Sequence, residues 1–180
     1  CVTRRQRQMC IRDRFKIINP SQINKISSFD NNSIGVHIRM GDFKFAEDEK
    51  VLRDGHWNYR LPIKWYVAII EKLRLISDLP IFIFSDASDN ELKDILTISN
   101  CRRAHFGSAI SDIIALSRCK ILVSSASTFS MWASFLGQIP TIWFPGQLRQ
   151  KLIINHNIFE GEIDYIDSLP SSLVKAIAND

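Results

Sequence analysis

The chain has 180 residues, 46% of them hydrophobic, with 23 Lys and Arg against 19 Asp and Glu for a formal net charge of +4. That length suits one compact domain with a real core, and the apolar fraction fits a soluble globular protein rather than a disordered one. Arg4, Arg5, Arg7, Arg12 and Arg14, set against the single Asp13, account for the whole charge excess, so the rest of the chain is electroneutral and offers no basic field for a nucleic-acid partner.

Residues 1–14 have no apolar stretch of the kind a secretory signal needs. The segment resembles translated sequencing-adapter DNA at the end of an assembled fragment, which would leave the chain short at its amino end; the other reading is a basic disordered tail. On either reading it is set aside, and residues 15–180 are expected to form the domain. Of the four cysteines, Cys1 and Cys10 fall in this segment, while Cys101 and Cys119 lack a CxxC pair or zinc spacing. They read as buried or partly buried thiols in a reducing compartment. No apolar run approaches the roughly 18 residues that span a bilayer, which points to a cytoplasmic or membrane-peripheral location, with any anchor in a missing upstream region.

In chain order, Ile34 to Ile38 reads as an apolar strand, followed by a charged, loop-like stretch from Phe43 to Arg60. Pro62 suits a first helical turn, and Trp65, Ile69, Leu73 and Ile76 recur at helical spacing until Asp78-Leu79-Pro80 stops the run. Ile81 to Phe84 is a short continuous apolar run, the pattern of a strand covered on both faces. Ser85 to Asp89 then supplies turn and capping residues for a helix over about Asn90 to Ile98. The unit repeats: a weak strand Arg103 to Phe106, a helix Ile110 to Cys119, and a buried strand Ile121 to Val123. A small-residue turn Ser124 to Thr128 opens a helix through Leu136 with Gly137 as its C-cap, and Thr141 to Phe144 is a further strand. After Pro145 the chain is less regular until a terminal helix from Ser171 to Ala178. Trp65, Trp132 and Trp143 read as core. Alternating strands and helices predict an α/β fold, a parallel sheet with helices on both faces, with ligands at the carboxyl ends of the strands.

Three polar clusters follow strands directly. Alternation puts His37 and Arg39 on one side of the first strand, and Gly41 beyond them lets a bulky charged ligand approach. An imidazole, a guanidinium and the Asp42 carboxylate together suit a phosphate-bearing ligand; the competing reading is an ordinary Arg39–Asp42 ion pair. The turn holding Ser127 and Thr128 places hydroxyls and backbone N–H groups at a helix start, which either cap the helix or hold an anion. Asp86 is either a helix-entry residue or an acid on the ligand side. Asp112 is either a carboxylate complementing its helix dipole or an acceptor for the paired N–H donors of guanine. His56, His105 and His156 are scattered and read as surface or core. No G-x-S-x-G, Gly-Lys-Ser/Thr phosphate loop or G-x-G-x-x-G follows any strand.

The series His37-x-Arg39-x-Gly41-Asp42, Phe82-Ile83-Phe84-Ser85-Asp86, and Asp112-x3-Leu116-Ser117-x-Cys119-x4-Ser124-Ser125-x-Ser127-Thr128-Phe129-Ser130-x-Trp132 resembles the fucosyltransferase superfamily, most of all the α-1,2-fucosyltransferases with their HxRRGD-like, FSDD-like and SSFSWW-like motifs. The likeness runs from about Ser33 to Trp143. Met40 stands where a second arginine is common, Ala87 where a second acid is, and Met131 where an aromatic is. The resemblance implies a Rossmann-like domain, the nucleotide-sugar-binding half of a GT-B type glycosyltransferase. It implies inverting transfer of fucose from GDP-fucose to a glycan acceptor, with no metal or other cofactor required. It further implies that Arg39 binds the β-phosphate, His37 lies by the guanosine, Asp112 reads guanine, and Ser127 or Thr128 holds phosphate. Glu47, five residues past Asp42, falls where the α-1,6 branch has its catalytic glutamate. Transfer of a different nucleotide sugar, or a non-catalytic fragment that binds one, are the alternatives. Oligomeric state is not legible.

Overall fold

The structure, a computed structural model, describes residues 24 and 26–178; the arginine-rich segment 1–14 lies outside the described residues. From Ile34 onward the described residues form six strands and six helices. In order they are β1 (Ile34–Ile38), α1 (Glu49–Arg53), α2 (Ile63–Arg74), β2 (Ile81–Ser85), α3 (Lys93–Leu96), β3 (Cys101–Arg103), α4 (Ala109–Leu116), β4 (Ile121–Val123), α5 (Thr128–Gly137), β5 (Thr141–Trp143), β6 (Glu160–Glu162) and α6 (Ser171–Ala178). The strands form one sheet in the order β3-β2-β1-β4-β5-β6, and every pairing is parallel. This is the doubly wound Rossmann-like arrangement expected from the alternation. Among the described residues no helix is long and apolar enough to cross a membrane.

Period-two alternation divides the core between the two faces of the sheet. Ile34, Val36 and Ile38 of β1, with Ile81 and Ile83 of β2, pack beneath α2 and α6 through Trp65, Ile69, Leu73 and Leu173. On the other face Phe82, Phe84 and Leu122 meet Ala115 and Leu116 of α4 and Ala133 of α5. Gly35 also lies on that second face, where a Cβ would stand 2.8 Å from both Cys119 Sγ and Leu116 Cδ2. Its missing side chain is therefore what lets α4 settle on β1, and it leaves His37 as the next residue of β1 on the same face.

The structure departs from the sequence expectation at several points. The predicted loop between β1 and α2 contains α1, started by Asp48 accepting from Lys50 N–H. The helix expected over 90–98 shrinks to four residues, because Ser88 and Glu91 exchange bonds with each other's backbone and hold a tight turn ahead of it. β3 begins earlier than expected, at Cys101. Gly137 is the last residue of α5, and the left-handed cap is Gln138, at φ 49°. Gly137 is required for a different reason: any side chain there would collide with the carbonyl of Ser117. β6 had no apolar signature, since Glu160-Gly161-Glu162 pairs through backbone alone with β5. Trp65 and Trp143 are buried as expected, but Trp132 is 51% exposed on α5. Cys119 is buried and Cys101 partly so.

The contact at Gly35 sets a stability test. Gly35→Ala pushes a methyl into two fixed side chains and is expected to cost about 1–3 kcal/mol in urea unfolding; unchanged stability would mean that α4 is free to move away from β1.

Candidate functional site

The strand order reverses between β1 and β4, so the chain leaves these neighbours in opposite directions and a crevice opens beyond their carboxyl ends. His37 joins the two sides of it. Its Nδ1 lies 2.7 Å from Ser130 Oγ in the first turn of α5, and 2.7 Å from Ser125 Oγ and 3.4 Å from Ser127 Oγ on the turn between β4 and α5. Its ring also stacks on Phe129, 4.4 Å between centroids and 20° between planes. Burial lowers its pKa from 6.5 to about 3, the nearby Asp86 charge opposing the shift and the Arg39 charge adding to it. The imidazole is thus neutral at ordinary pH and tethers the turn to the sheet.

Two residues on, Arg39 enters the crevice between carboxylates. Its guanidinium donates to Asp86 Oδ2 at 2.5 Å and to Asp42 Oδ1 at 2.6 Å, and Asp86 Oδ1 accepts the Met40 N–H at 2.8 Å. Asp86, at the end of β2, therefore fixes both the charge and the backbone of the loop that follows β1. Gly41 belongs to the same device. A Cβ there would strike the Asp86 carboxylate, so its role is to admit that acid, where the sequence suggested a ligand. The ion-pair reading of Arg39 is realised, and it is not exclusive: a guanidinium has five N–H donors, of which these pairs engage two. The Asp42 partner is 74% exposed, and so exposed a pair yields readily to a better anion.

Arg39, His37, Asp86 and Asp112 all border one cavity of about 590 Å³. Asp112 stands in the first part of α4, accepting the Phe106 N–H at 2.6 Å and bonding His105 Nδ1 at 2.8 Å. Burial pushes its pKa up, while those two bonds pull the other way. A carboxylate has about four lone-pair sites, so each oxygen keeps capacity for a ligand donor. The cavity also contains two residues that the sequence did not single out for it. Arg103 reaches in from the end of β3, held by the carbonyls of Ser85 and Ala87 and by Asp89. His105, read as scattered, is the partner of Asp112. Both follow a strand end in a parallel sheet, and that position was the available signal.

The remaining candidates lie apart from this cavity. Ser127 is buried and spends its hydroxyl on the Ser130 N–H and on Ser125, as a helix N-cap does. Thr128 is exposed at the first position of α5. Glu47 is exposed and borders a separate cavity of about 480 Å³ with Met40, Phe45 and Arg60. Met40, the neighbour of Arg39, lines this separate cavity and not the first. Among the described residues no group of three or more His, Cys, Asp or Glu side chains gathers as a metal site.

Residues 6–145 match the sequence model of the family described as glycosyl transferase family 11. No curated protein and no solved structure matched the chain.

The tether makes stability depend on pH. An unfolded chain protonates His37 near its ordinary 6.5 and the folded one only near 3. The unfolded state therefore binds the extra proton first, and stability is complete above 6.5 and drains away as pH falls toward 3. Between pH 7 and pH 5 the protein is expected to lose about 1–2 kcal/mol more than His37→Gln does in urea unfolding. Parallel losses in the two proteins would mean that the ring is protonated, or wet, in the fold.

Proposed function

The chain belongs to glycosyl transferase family 11 and is a glycosyltransferase; from that premise we propose that it transfers fucose from GDP-fucose to a hydroxyl of a glycan acceptor, with inversion and without a catalytic metal. The observation that carries this reading is the crevice at the β1/β4 reversal, where Arg39 and Phe129, in the first turn of α5, border one cavity. As the bond between the anomeric carbon and the diphosphate oxygen breaks, negative charge grows on the departing GDP. Arg39, Arg103 and the first N–H groups of α5, which have no intrahelical acceptor, stabilise that charge more than they stabilise the intact donor. In other chemistries a divalent ion supplies this counter-charge; here the guanidinium groups would.

Asp86 keeps Arg39 in place for the leaving group, and Asp42 gives way to it. His37 lies by the guanosine and holds the serine turn, so Ser127 serves the phosphate through the backbone it caps and Thr128 through its exposed position. Asp112 accepts from the guanine N–H edge with the lone pairs that Phe106 and His105 leave. The acceptor hydroxyl approaches from the side of the Glu47 cavity and attacks the anomeric carbon from the face opposite the diphosphate. Glu47 is the general base, since among the described residues no ion pair occupies it, and its carboxylate takes the proton that the new glycosidic oxygen releases.

Two measurements test the reading. Arg39→Ala is expected to lower kcat by about 100-fold or more, the scale for removing one preorganised donor to developing charge, with weaker GDP binding; normal turnover would refute the assigned role. In competition, GDP is expected to bind at least about ten-fold better than ADP or UDP, roughly 1.4 kcal/mol, and Asp112→Asn should erase most of that preference. Equal binding of GDP and UDP would favour a glycosyltransferase using another nucleotide sugar.

A further inference from the structure

A second cavity, of about 260 Å³, opens on the other side of the serine turn, walled by Trp57, Ala126, Met131, Trp143, Gln147 and Arg149 among others. None of its residues borders the cavity that holds Arg39. The turn serves both, Phe129 facing the first and Ala126 and Met131 the second. Trp57 comes from the excursion between β1 and α2 that also carries Glu47.

Three polar atoms in this wall are sealed from water and lack a hydrogen-bond partner: Trp57 Nε1, Trp143 Nε1 and Gln147 Oε1. Buried polar groups are nearly always paired, and an unpaired one is costly, so three orphans around one cavity ask for an occupant. Gln147 is itself rigidly held. Its amide nitrogen donates to the carbonyls of Leu52 and His56, which fixes the oxygen as the free end. Trp143 is buried at the tip of β5. Trp57 is braced by the Arg149 guanidinium, 4.5 Å from its ring centroid and bonded to the Gly55 carbonyl.

We infer that this cavity is a saccharide subsite that receives a pyranose ring of the acceptor. Two indole N–H donors and one amide oxygen match the hydroxyls of a sugar, which both accept and donate, while the indole faces and Met131 suit its C–H face. No carboxylate lines the cavity, and its one cation is already committed to Gly55 and Trp57. A neutral ring therefore fits better than a phosphate. The donor is assigned to the Arg39 cavity, and Trp57 shares the β1–α2 excursion with Glu47, so the substrate that this cavity suits is the acceptor. The inference rests on the glycosyltransferase reading for the word acceptor; saccharide binding itself does not.

Saturation-transfer NMR on the 180-residue chain tests it, with the methyl glycosides of glucose, galactose, mannose and N-acetylglucosamine as probes, alone and with saturating GDP. At least one glycoside is expected to receive saturation, with or without GDP. Trp57→Ala should weaken that binding at least ten-fold and leave GDP affinity within two-fold of the parent. Met131→Trp, which fills the cavity from the α5 side, should do the same and guards against a Trp57 variant that fails to fold. Trp57→Phe, which keeps a ring and loses the donor, should fall between. No glycoside binding, binding retained in Met131→Trp, displacement by GDP, or displacement by inorganic phosphate would each overturn the inference. GDP titration scores the donor reading separately: glycoside binding without GDP binding sinks that reading alone, and GDP binding without glycoside binding sinks this one alone.

Discussion

Everything at the rim of this sheet depends on a neutral imidazole held out of water. His37 is only 5% exposed, on the face of β1 that Gly35 opens to α4, with Phe129 across its ring and three serine hydroxyls around one nitrogen. Because burial keeps it uncharged, it can link the sheet to the start of α5 at little electrostatic cost, whereas a cation there would meet the unsatisfied N–H groups of the helix. The turn from Ser124 to Ser130 thereby acquires a fixed position relative to β1, and the two cavities on either side of it acquire a common wall.

Charge at the neighbouring position is handled by the opposite means. Arg39 stands between Asp86 and Asp42, one carboxylate tied down by the Met40 N–H and the other open to solvent. Such a pairing fixes the orientation of the guanidinium at the mouth of the cavity. It also explains why Asp86 and Gly41 belong together, since the acid occupies the space where a larger residue's side chain would begin.

The alternation of apolar runs and helical spacing made the layers legible, because β1, β2, β4 and α2 bury side chains in the periods that sequence reveals. Short elements held by backbone or by caps were not legible: α1 needs only Asp48 to start it, and β6 only the backbone of β5. At the site, strand ends flagged His37, Arg39 and Asp86, a helix start flagged Asp112, and the fold brings those four to one cavity. Arg103 and His105 were not linked to the site because their strand looked weak and nothing in its apolar pattern tied it to the β1 crevice. Glu47 and Asp42, close in sequence, diverge because the loop after Gly41 turns toward a separate cavity, with Arg60 holding the carbonyls of Gly41 and Phe43.

The two outer strands of the sheet carry opposite signs. β3 is Cys101-Arg102-Arg103 and β6 is Glu160-Gly161-Glu162. Three residues of strand with charged side chains make a poor template for recruiting another chain. Two like borders brought side by side repel, while a β3 border attracts a β6 border, so the charges select which edges can meet. Arg102 lies over the Phe82 ring and Glu162 accepts the Leu148 N–H, so each charge is anchored where a neighbouring molecule would have to dislodge it. Like-to-like pairing of these borders is thus opposed both by their shortness and by their charge.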